Sequence, residues 1–192
     1  MKIVFLGPPA SGKGVQSKLL SEYFNLKSVS TGDIIRNLIA SGTDKGVEYK
    51  KKISAGDLIP DPDLIQIVQE YLSINKINDN FIADGFPRTS NQAKLLFDIR
   101  VFDESTVLIV LNVHEDILYK RLGIRSLEEN RDDDNLISFK NRLSIFITHL
   151  ESLKLHFKNV IEVDGNNSID QVHNLILKKL RSAFHNLEIN VK

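Results

Sequence analysis

The chain has 192 residues, and its 25 Lys and Arg side chains balance 25 Asp and Glu side chains. This length suits one compact domain with a full hydrophobic core, and the balanced charge excludes a global positive field for nucleic acid or anionic lipid. The absence of cysteine excludes disulfides and thiolate–metal sites. The first residues enter a strand at once, and no apolar run approaches a membrane span. We expect a soluble, cytoplasmic monomer that binds neither nucleic acid nor membranes.

The first predicted strand, residues 3–6, runs directly into a glycine-rich loop. This loop reads GPPASGKG over residues 7–14 and opens the first predicted helix. Backbone N–H groups turn inward in such a loop, the helix N-terminus adds positive potential, and Lys13 supplies a point charge for terminal phosphates. The loop length suits a nucleoside triphosphate better than a dinucleotide. Gly14 stands where many phosphate loops carry a magnesium-binding hydroxyl. The chain is therefore predicted to be one of the phosphate-loop proteins that lack this hydroxyl.

Apolar segments alternate with helical periodicity along the rest of the chain. Further strands are predicted at residues 27–30, 81–83, 107–111 and 160–163. This alternation favours an α/β fold, a parallel sheet covered by helices on both faces. Residues 31 to about 72 carry only helical signals and are predicted to form a helical flap beside the sheet. Residues 126–130 are polar and are predicted to form an exposed loop or small lid.

The strand at residues 81–83 ends in a carboxylate, Asp84. A carboxylate in this place is typical of the acid that holds Mg²⁺, directly or through water, opposite a phosphate loop. Because Asp84 and Gly85 also form a good turn pair, the alternative is a carboxylate that caps a turn.

Four of the eight arginines lie in one helix–loop–helix segment. They are Arg121, Arg125, Arg131 and Arg142. Arginine forks bind phosphate oxygens bidentately and keep their charge at any working pH. Since phosphoryl transfer depends mainly on positioning and charge neutralisation, converging cations are expected there. The alternative for each arginine alone is a solvated helix face paired with nearby acidic residues.

Taken in order, these segments resemble the adenylate kinase family in its form with a short lid. The family's phosphate loop, GxPGxGKGTQ, appears as GPPASGKGVQ at residues 7–16, and its TGDxxR element as TGDIIR at residues 31–36. A GxxxKxxxxxGxLxPD pattern matches residues 46–61, and DGFPRTxxQ is intact at residues 84–92. The lid arginines recur as RxxxR from Arg121 and as RxDD from Arg131, followed by Arg142 in an RL element. The resemblance extends from Met1 to about Leu180.

The resemblance implies a P-loop, doubly wound parallel sheet of five strands in a single domain over residues 1–192. Residues 31–60 would form the AMP-binding flap and residues 122–133 the short lid. The implied activity is reversible, Mg²⁺-dependent phosphoryl transfer from ATP to AMP, giving two ADP. The lid has no room for the zinc site of long-lid relatives, so no structural zinc is expected.

The implied site residues fall into four sets. ATP would be bound by Ala10, Ser11, Gly12, Lys13, Gly14, Val15, Arg121, Arg125 and Asn167. AMP would be bound by Thr31, Arg36, Asp57, Leu58, Ile59, Gly85, Phe86, Pro87, Arg88, Gln92, Arg131 and Arg142. The catalytic residues would be Lys13, Arg88, Arg121, Arg125, Arg131 and Arg142. Asp84 would orient Mg²⁺ through water, and the turn at residues 164–167 would contact the ATP adenine.

The chain departs from the family pattern in its phosphate loop. Ala10 replaces a usual glycine, so this position must avoid positive φ or tolerate mild strain. Val15 replaces a usual threonine and removes one hydroxyl near the phosphates. Both changes could lower ATP affinity, and they leave open a catalytically weak relative of the family.

Two other functions fit the sequence less well. A GTPase-like switch needs an NKxD element, but the nearest match, residues 75–78, lacks the acid, and no DxxG segment is present. A UMP/CMP kinase shares the fold and the short lid, but Thr31, Thr89 and Gln92 favour adenine. The amide of Gln92 can match the adenine edge; the alternative is that Gln92 only caps the helix after Pro87.

Overall fold

The structure is a computed structural model that describes residues 1–129 and 135–183, without the side chains of residues 126–129. Its centre is a five-stranded parallel sheet in the order β2-β3-β1-β4-β5. The strands are β1 (Lys2–Leu6), β2 (Lys27–Ser30), β3 (Phe81–Asp84), β4 (Val107–Asn112) and β5 (Asn159–Asp164). The predicted parallel α/β sheet of five strands is therefore confirmed.

Helices cover both faces of this sheet. They are α1 (Lys13–Phe24), α2 (Thr31–Ala40), α3 (Asp44–Ala55), α4 (Asp61–Ile74), α5 (Ser90–Asp98), α6 (Glu115–Glu129), α7 (Leu136–Lys154) and α8 (Ile169–Ala183). Alternate residues of β1 point to opposite faces. Ile3 and Phe5 join a core cluster with α1 and α8, whereas Val4 and Leu6 join another with residues of α2–α5 and α7. The fold is thus doubly wound, as predicted.

The strand order places a crevice beside the end of β1. This central strand pairs with β3 on one side and β4 on the other, so the chain changes direction across the sheet there. In open α/β sheets, ligands bind outside the carboxyl ends of the strands at such a switch point. Asp84 is the register partner of Phe5, which brings the carboxylate of β3 next to the phosphate loop.

The predicted helical segment after β2 contains α2, α3 and α4 and no strand. Two of these helices begin with a hydroxyl that accepts a backbone hydrogen bond, Ser30 from the N–H of Asp33 and Thr43 from the N–H of Gly46. Gly56 ends α3 with φ 81°, a left-handed conformation that favours glycine. The starts of α2 and α3 and the end of α3 therefore follow from local capping chemistry.

Residues 126–130 were predicted to form an exposed loop or small lid, and the loop is wrong for the first four of them, while the lid stays a prediction. The structure continues α6 to Glu129, while residue 130 lies outside the described residues. This segment holds neither glycine nor proline, and leucine and glutamate favour helix, so polarity alone does not end the helix. Arg131 and the remainder of the predicted lid also lie outside the described residues. Asn135 caps the next helix, α7, through its side-chain oxygen and the N–H of Ser138.

Among residues 1–129 and 135–183, no helix is both long and apolar enough to cross a membrane.

An ion pair at the amino end of the central strand β1, away from the phosphate loop, predicts acid sensitivity. Lys2 Nζ lies 2.8 Å from Asp103 Oδ2, and this contact lowers the pKa of Asp103 to about 2. A carboxylate with a depressed folded-state pKa stabilises the fold above its unfolded pKa, and that contribution disappears as pH falls from about 4 through 2. Because Asp103 is half-exposed, we expect a loss of roughly 1 kcal/mol. Urea unfolding of Asp103→Asn between pH 2 and 7 measures it, and Asp98→Asn, from an exposed pair with Lys94, is the control.

Candidate functional site

A cavity of about 900 Å³ lies at the carboxyl ends of β1 and β3 and gathers most of the predicted site residues. Those that line it are Ala10, Ser11, Gly12, Lys13, Gly14, Val15, Thr31, Arg36, Asp57, Leu58, Ile59, Asp84, Gly85, Pro87, Arg88, Gln92, Arg121, Arg125, Arg142 and Asn167. The residues assigned to ATP and those assigned to AMP therefore face one space.

Two predicted residues are not in this set. Phe86 is fully buried, and its ring stacks on Phe102 with the ring centroids 6.0 Å apart. Its side chain belongs to the hydrophobic core, so only its backbone is a candidate for nucleotide contact. Arg131 lies outside the described residues.

Lys13 lies inside the glycine-rich loop. Its Nζ donates hydrogen bonds to the carbonyl oxygens of Gly7 and Pro8, each at 2.8 Å. Burial lowers the pKa of Lys13 to about 7, although the nearby Asp84 opposes this shift. The N-cap of α1 is Gly12, with φ 94° and no side chain to cap the first N–H groups. The loop thus combines a buried amine with the open N-terminus of a helix, an arrangement that suits phosphate.

Asp84 faces the same loop. A Cβ atom added at Gly14 would lie 3.5 Å from Asp84 Oδ2, so the carboxylate lies beside the start of α1. Burial raises the pKa of Asp84, while Lys13 and Arg88 oppose the increase. Asp33 raises this pKa further, and it lines the cavity as well. Asp33 is not among the predicted site residues, although it lies within the TGDIIR segment that contains Thr31 and Arg36.

Two carboxylates suit a magnesium ion that is held mainly by its nucleotide. Within the described part of the chain, no group of three or more His, Asp or Glu side chains could hold a metal. Mg²⁺ usually keeps several waters and takes only one or two carboxylates together with substrate phosphates. Asp84 and Asp33 offer hard oxygen ligands of this kind.

Arg121 connects two sides of the site. Its guanidinium donates to the carbonyl of Ser11 at 3.2 Å, to that of Gly165 at 2.9 Å and to that of Asn167 at 3.2 Å. The phosphate loop is thereby joined to the turn between β5 and α8. The alternative of a purely solvated face is wrong for Arg121. Arg125, one turn further along α6, and Arg142 of α7 line the same cavity.

The predicted AMP side is built around the end of β3. Gly85 has φ 84°, and a Cβ there would lie 3.0 Å from Thr31 Oγ1, so only glycine fits without strain. Arg88 Nε donates to the carbonyl of Gly85 at 2.8 Å, which orients the guanidinium. Arg36 pairs with Asp33 one turn before it on α2. Two arginines, Arg36 and Arg88, therefore line the cavity among the residues predicted to bind AMP.

Gln92 is buried and its amide already makes two hydrogen bonds. Its Oε1 accepts from the N–H of Arg88 at 2.7 Å, and its Nε2 donates to Asp61 Oδ1 at 2.8 Å. The hydrogen bond from the N–H of Arg88, just before α5, matches the alternative in which Gln92 caps this helix. A primary amide has two N–H groups and two lone pairs, so one of each remains beyond these bonds. The capping contact and a nucleotide contact are therefore compatible.

The sequence requires Ala10 either to avoid positive φ or to tolerate mild strain, and the structure has the strained conformation. Its φ is 63°, in the left-handed region. The methyl group belongs to a buried cluster with Leu118 and Leu122 of α6 and with Phe139 of α7. The alanine thus anchors the phosphate loop to the two helices that flank the predicted lid.

We expect Ala10→Gly to change the free energy of unfolding by less than about 1 kcal/mol. The substitution relieves a left-handed alanine, worth roughly 1–2 kcal/mol, but loses a buried methyl and increases the entropy of the unfolded chain, each worth about 0.5–1 kcal/mol. Urea unfolding measures the balance, with Arg100→Gly as a control at φ 60° outside the cavity. A loss above 2 kcal/mol would show that methyl packing outweighs the strain.

Comparisons with known proteins agree on one family. A family model described as adenylate kinase matches residues 5–162. An adenylate kinase from Leptospira biflexa serovar Patoc is 38% identical over 184 residues, covering 93% of this chain and 99% of that protein. One from Azobacteroides pseudotrichonymphae is 36% identical over 189 residues, covering 96% and 99%. One from Trichodesmium erythraeum is 34% identical over 190 residues, covering 94% and 97%.

Proposed function

The chain belongs to the adenylate kinase family, and on this basis we propose that it transfers the terminal phosphoryl group of ATP reversibly to AMP, giving two ADP. The cavity itself is the observation that supports this proposal most strongly. The phosphate loop with Lys13 lines one part of it, and Arg36 and Arg88 line another. Two separate phosphate-binding sets on one space are what a transfer between two nucleotides requires.

The donor would occupy the phosphate loop. Its phosphates would lie on the N-terminus of α1 beside Lys13, with Arg125 close enough to line the same space. Its adenine would lie along the turn at residues 164–167, which Arg121 joins to the loop. Asp84 and Asp33 would hold the waters of Mg²⁺. When bound with ATP, that ion neutralises charge on the phosphates.

The acceptor would occupy the space between β3 and the helical flap. Arg36 and Arg88 would bind the AMP phosphate, and Arg142, which lines the same cavity, would neutralise charge during transfer. A phosphate oxygen is already an anionic nucleophile at neutral pH, so no side chain has to remove a proton. Catalysis then consists of alignment and charge stabilisation.

Closure would protect this reaction from water. We assign residues 31–60 to the AMP flap and residues 122–133 to the lid of one domain, with Arg131 supplied by the lid. A flap that closes over the nucleotides prevents hydrolysis of ATP. We further propose a cytoplasmic monomer, because both predicted phosphate-binding sets lie on the same chain and nucleotides are the substrates of the proposed reaction.

Acceptor specificity tests the adenine assignment. We expect AMP to be preferred over GMP, UMP and CMP, and Gln92→Ala to lower kcat/KM for AMP by roughly ten- to a hundredfold, because buried polar edges lose their partner. The effect on the KM for ATP should be small. A coupled assay of ADP formation measures both values. Gln66→Ala, which removes an exposed amide from α4, is the control.

A preference of the wild-type protein for UMP or CMP would instead favour a pyrimidine monophosphate kinase. An unaltered AMP rate in Gln92→Ala would leave Gln92 only its contacts with Arg88 and Asp61.

A further inference from the structure

Helices α1 and α8 are joined by a buried amide. Gln16 lies on α1, three residues after Lys13, and is 3% exposed. Its Nε2 donates to the carbonyl of Ile169, the first residue of α8, at 2.9 Å. Its Oε1 lies 3.3 Å from Nδ1 of His173, one turn further along α8. The side chain of Gln16 therefore connects the helix that carries the phosphate-loop lysine to the start of α8.

The chemistry of these partners determines the direction of both hydrogen bonds. The carbonyl of Ile169 can only accept, so the NH₂ group of Gln16 must face it. The amide oxygen then faces His173, whose Nδ1 must carry the proton and donate. Burial lowers the pKa of His173, while Asp170 opposes the shift. The neutral imidazole can donate from Nδ1, so the contact does not require a charged histidine.

His173 is itself held by its surroundings. Its ring meets the ring of Tyr23 edge-on, with centroids 6.1 Å apart. The hydroxyl of Tyr23 accepts a hydrogen bond from Arg181, further along α8, at 2.6 Å. The imidazole is thus fixed between two helices, in position to orient the amide of Gln16.

The Gln16 contact lies at one end of the nucleotide cavity. Gln16, Asn167 and Ile169 all line this cavity. Arg121 already holds the carbonyls of Gly165 and Asn167 from the side of α6. The turn from β5 into α8 is therefore fixed from two directions, by Arg121 and by Gln16.

We propose that Gln16 is a positioning residue for the base of the donor nucleotide, and that His173 orients Gln16 for this role. The inference rests on the proposed function, which places the donor adenine along the turn at residues 164–167. Without the amide, the start of α8 loses its hydrogen bond to α1, and Arg121 holds the turn before α8 from the side of α6 only. Donor phosphate and donor base would then be held by elements that can shift relative to each other.

This role predicts an effect on the donor alone. Gln16→Met keeps the length of the side chain but leaves the Ile169 carbonyl and His173 Nδ1 without this partner. We expect its KM for ATP, and its Kd for ATP measured by calorimetry without AMP, to rise about five- to twentyfold. The preference for ATP over GTP should fall, whereas the KM for AMP and kcat should stay within about twofold of the wild-type values.

Two substitutions of His173 test the second half of the proposal. His173→Asn places an amide N–H close to the position of Nδ1 and should retain the wild-type Kd for ATP. His173→Phe fills the same space without a donor and should weaken ATP binding in the same direction as Gln16→Met. Gln66→Met, which loses an exposed amide on α4, is the control for loss of an amide as such.

Equal increases in the KM values for ATP and AMP, or a lower kcat with unchanged KM values, would overturn the donor-specific role of Gln16. Equal Kd values for ATP in His173→Asn and His173→Phe would overturn the role of His173. Thermal unfolding identifies a variant that fails to fold. If one of the two His173 variants fails to fold, the Kd for ATP of the other is compared with that of the wild-type protein. Since calorimetry needs no turnover, a wild-type protein that binds ATP but forms no ADP would refute the proposed function and still test this inference.

Discussion

Lys13→Met is expected to lower kcat by roughly 10²- to 10³-fold or more, because it removes the buried charge next to the transferred phosphoryl group. The Nζ of Lys13 lies within the loop, 2.8 Å from two of its carbonyl oxygens, where a bound phosphate would be within reach. A coupled assay with saturating ATP and AMP measures the loss. Lys94→Met removes an exposed lysine that pairs with Asp98 and should retain the wild-type rate. An unchanged kcat with weaker ATP binding alone would limit Lys13 to ground-state binding.

The same lysine should make ATP binding depend on pH. The pKa of Lys13 is about 7 in the structure, so above pH 7 part of the protein carries a neutral amine. A bound phosphate favours the charged form and raises this pKa, so binding takes up a proton and weakens as pH rises above 7. Calorimetry at pH 8 in buffers of different ionisation enthalpy measures the proton uptake. Lys13→Met should lose the part of the uptake that comes from the amine.

Gly56→Ala is expected to lower the free energy of unfolding by about 2–5 kcal/mol. Gly56 has φ 81°, where a side chain costs roughly 1–2 kcal/mol. A Cβ there would also lie 2.5 Å from the carbonyl oxygen of Ser138 in α7, and overpacking of this kind costs about 1–3 kcal/mol. Asn141 of α7 donates to Asp57 Oδ1 at 2.7 Å, so displacement of α7 would also disturb residues 57–59. We therefore expect a higher KM for AMP as well.

Gly42→Ala separates the two causes. Gly42 has φ 70°, and a Cβ there would meet nothing within 4 Å, so this variant carries the backbone strain without the clash. Urea unfolding should show a loss of about 1–2 kcal/mol for Gly42→Ala and a larger one for Gly56→Ala. Equal losses would show that the contact with Ser138 adjusts at no cost, and the higher KM for AMP would then not be expected.

Most of the strands could be predicted from the sequence because they are short, mainly apolar runs with clear ends. The sequence also predicts β2, although only Val29 of this strand is fully buried, because the segment lies between two helical patterns. Polar composition was a poorer guide. It predicted a loop or small lid where α6 continues to Glu129, because a polar composition is common to loops and to helices.

The candidate site could be predicted mainly as a set of motif residues. A motif names residues by position and cannot say which side chains turn away, so Phe86 was assigned to AMP although its ring packs against Phe102. The conformation of Ala10 also could not be decided, because its strain is offset by packing against residues far along the chain. The contact of Gln16 with Ile169, 153 residues apart, leaves no periodic signal at all.

The most direct test of the central claim is to follow the transferred phosphorus. The purified protein would be incubated with Mg²⁺, AMP and ATP labelled at the γ-phosphorus, and the products separated. Transfer from ATP to AMP predicts label in the β-phosphate of ADP, dependence on both AMP and Mg²⁺, and little labelled inorganic phosphate. Label released only as inorganic phosphate, or no labelled ADP at any magnesium concentration, would contradict the proposed function.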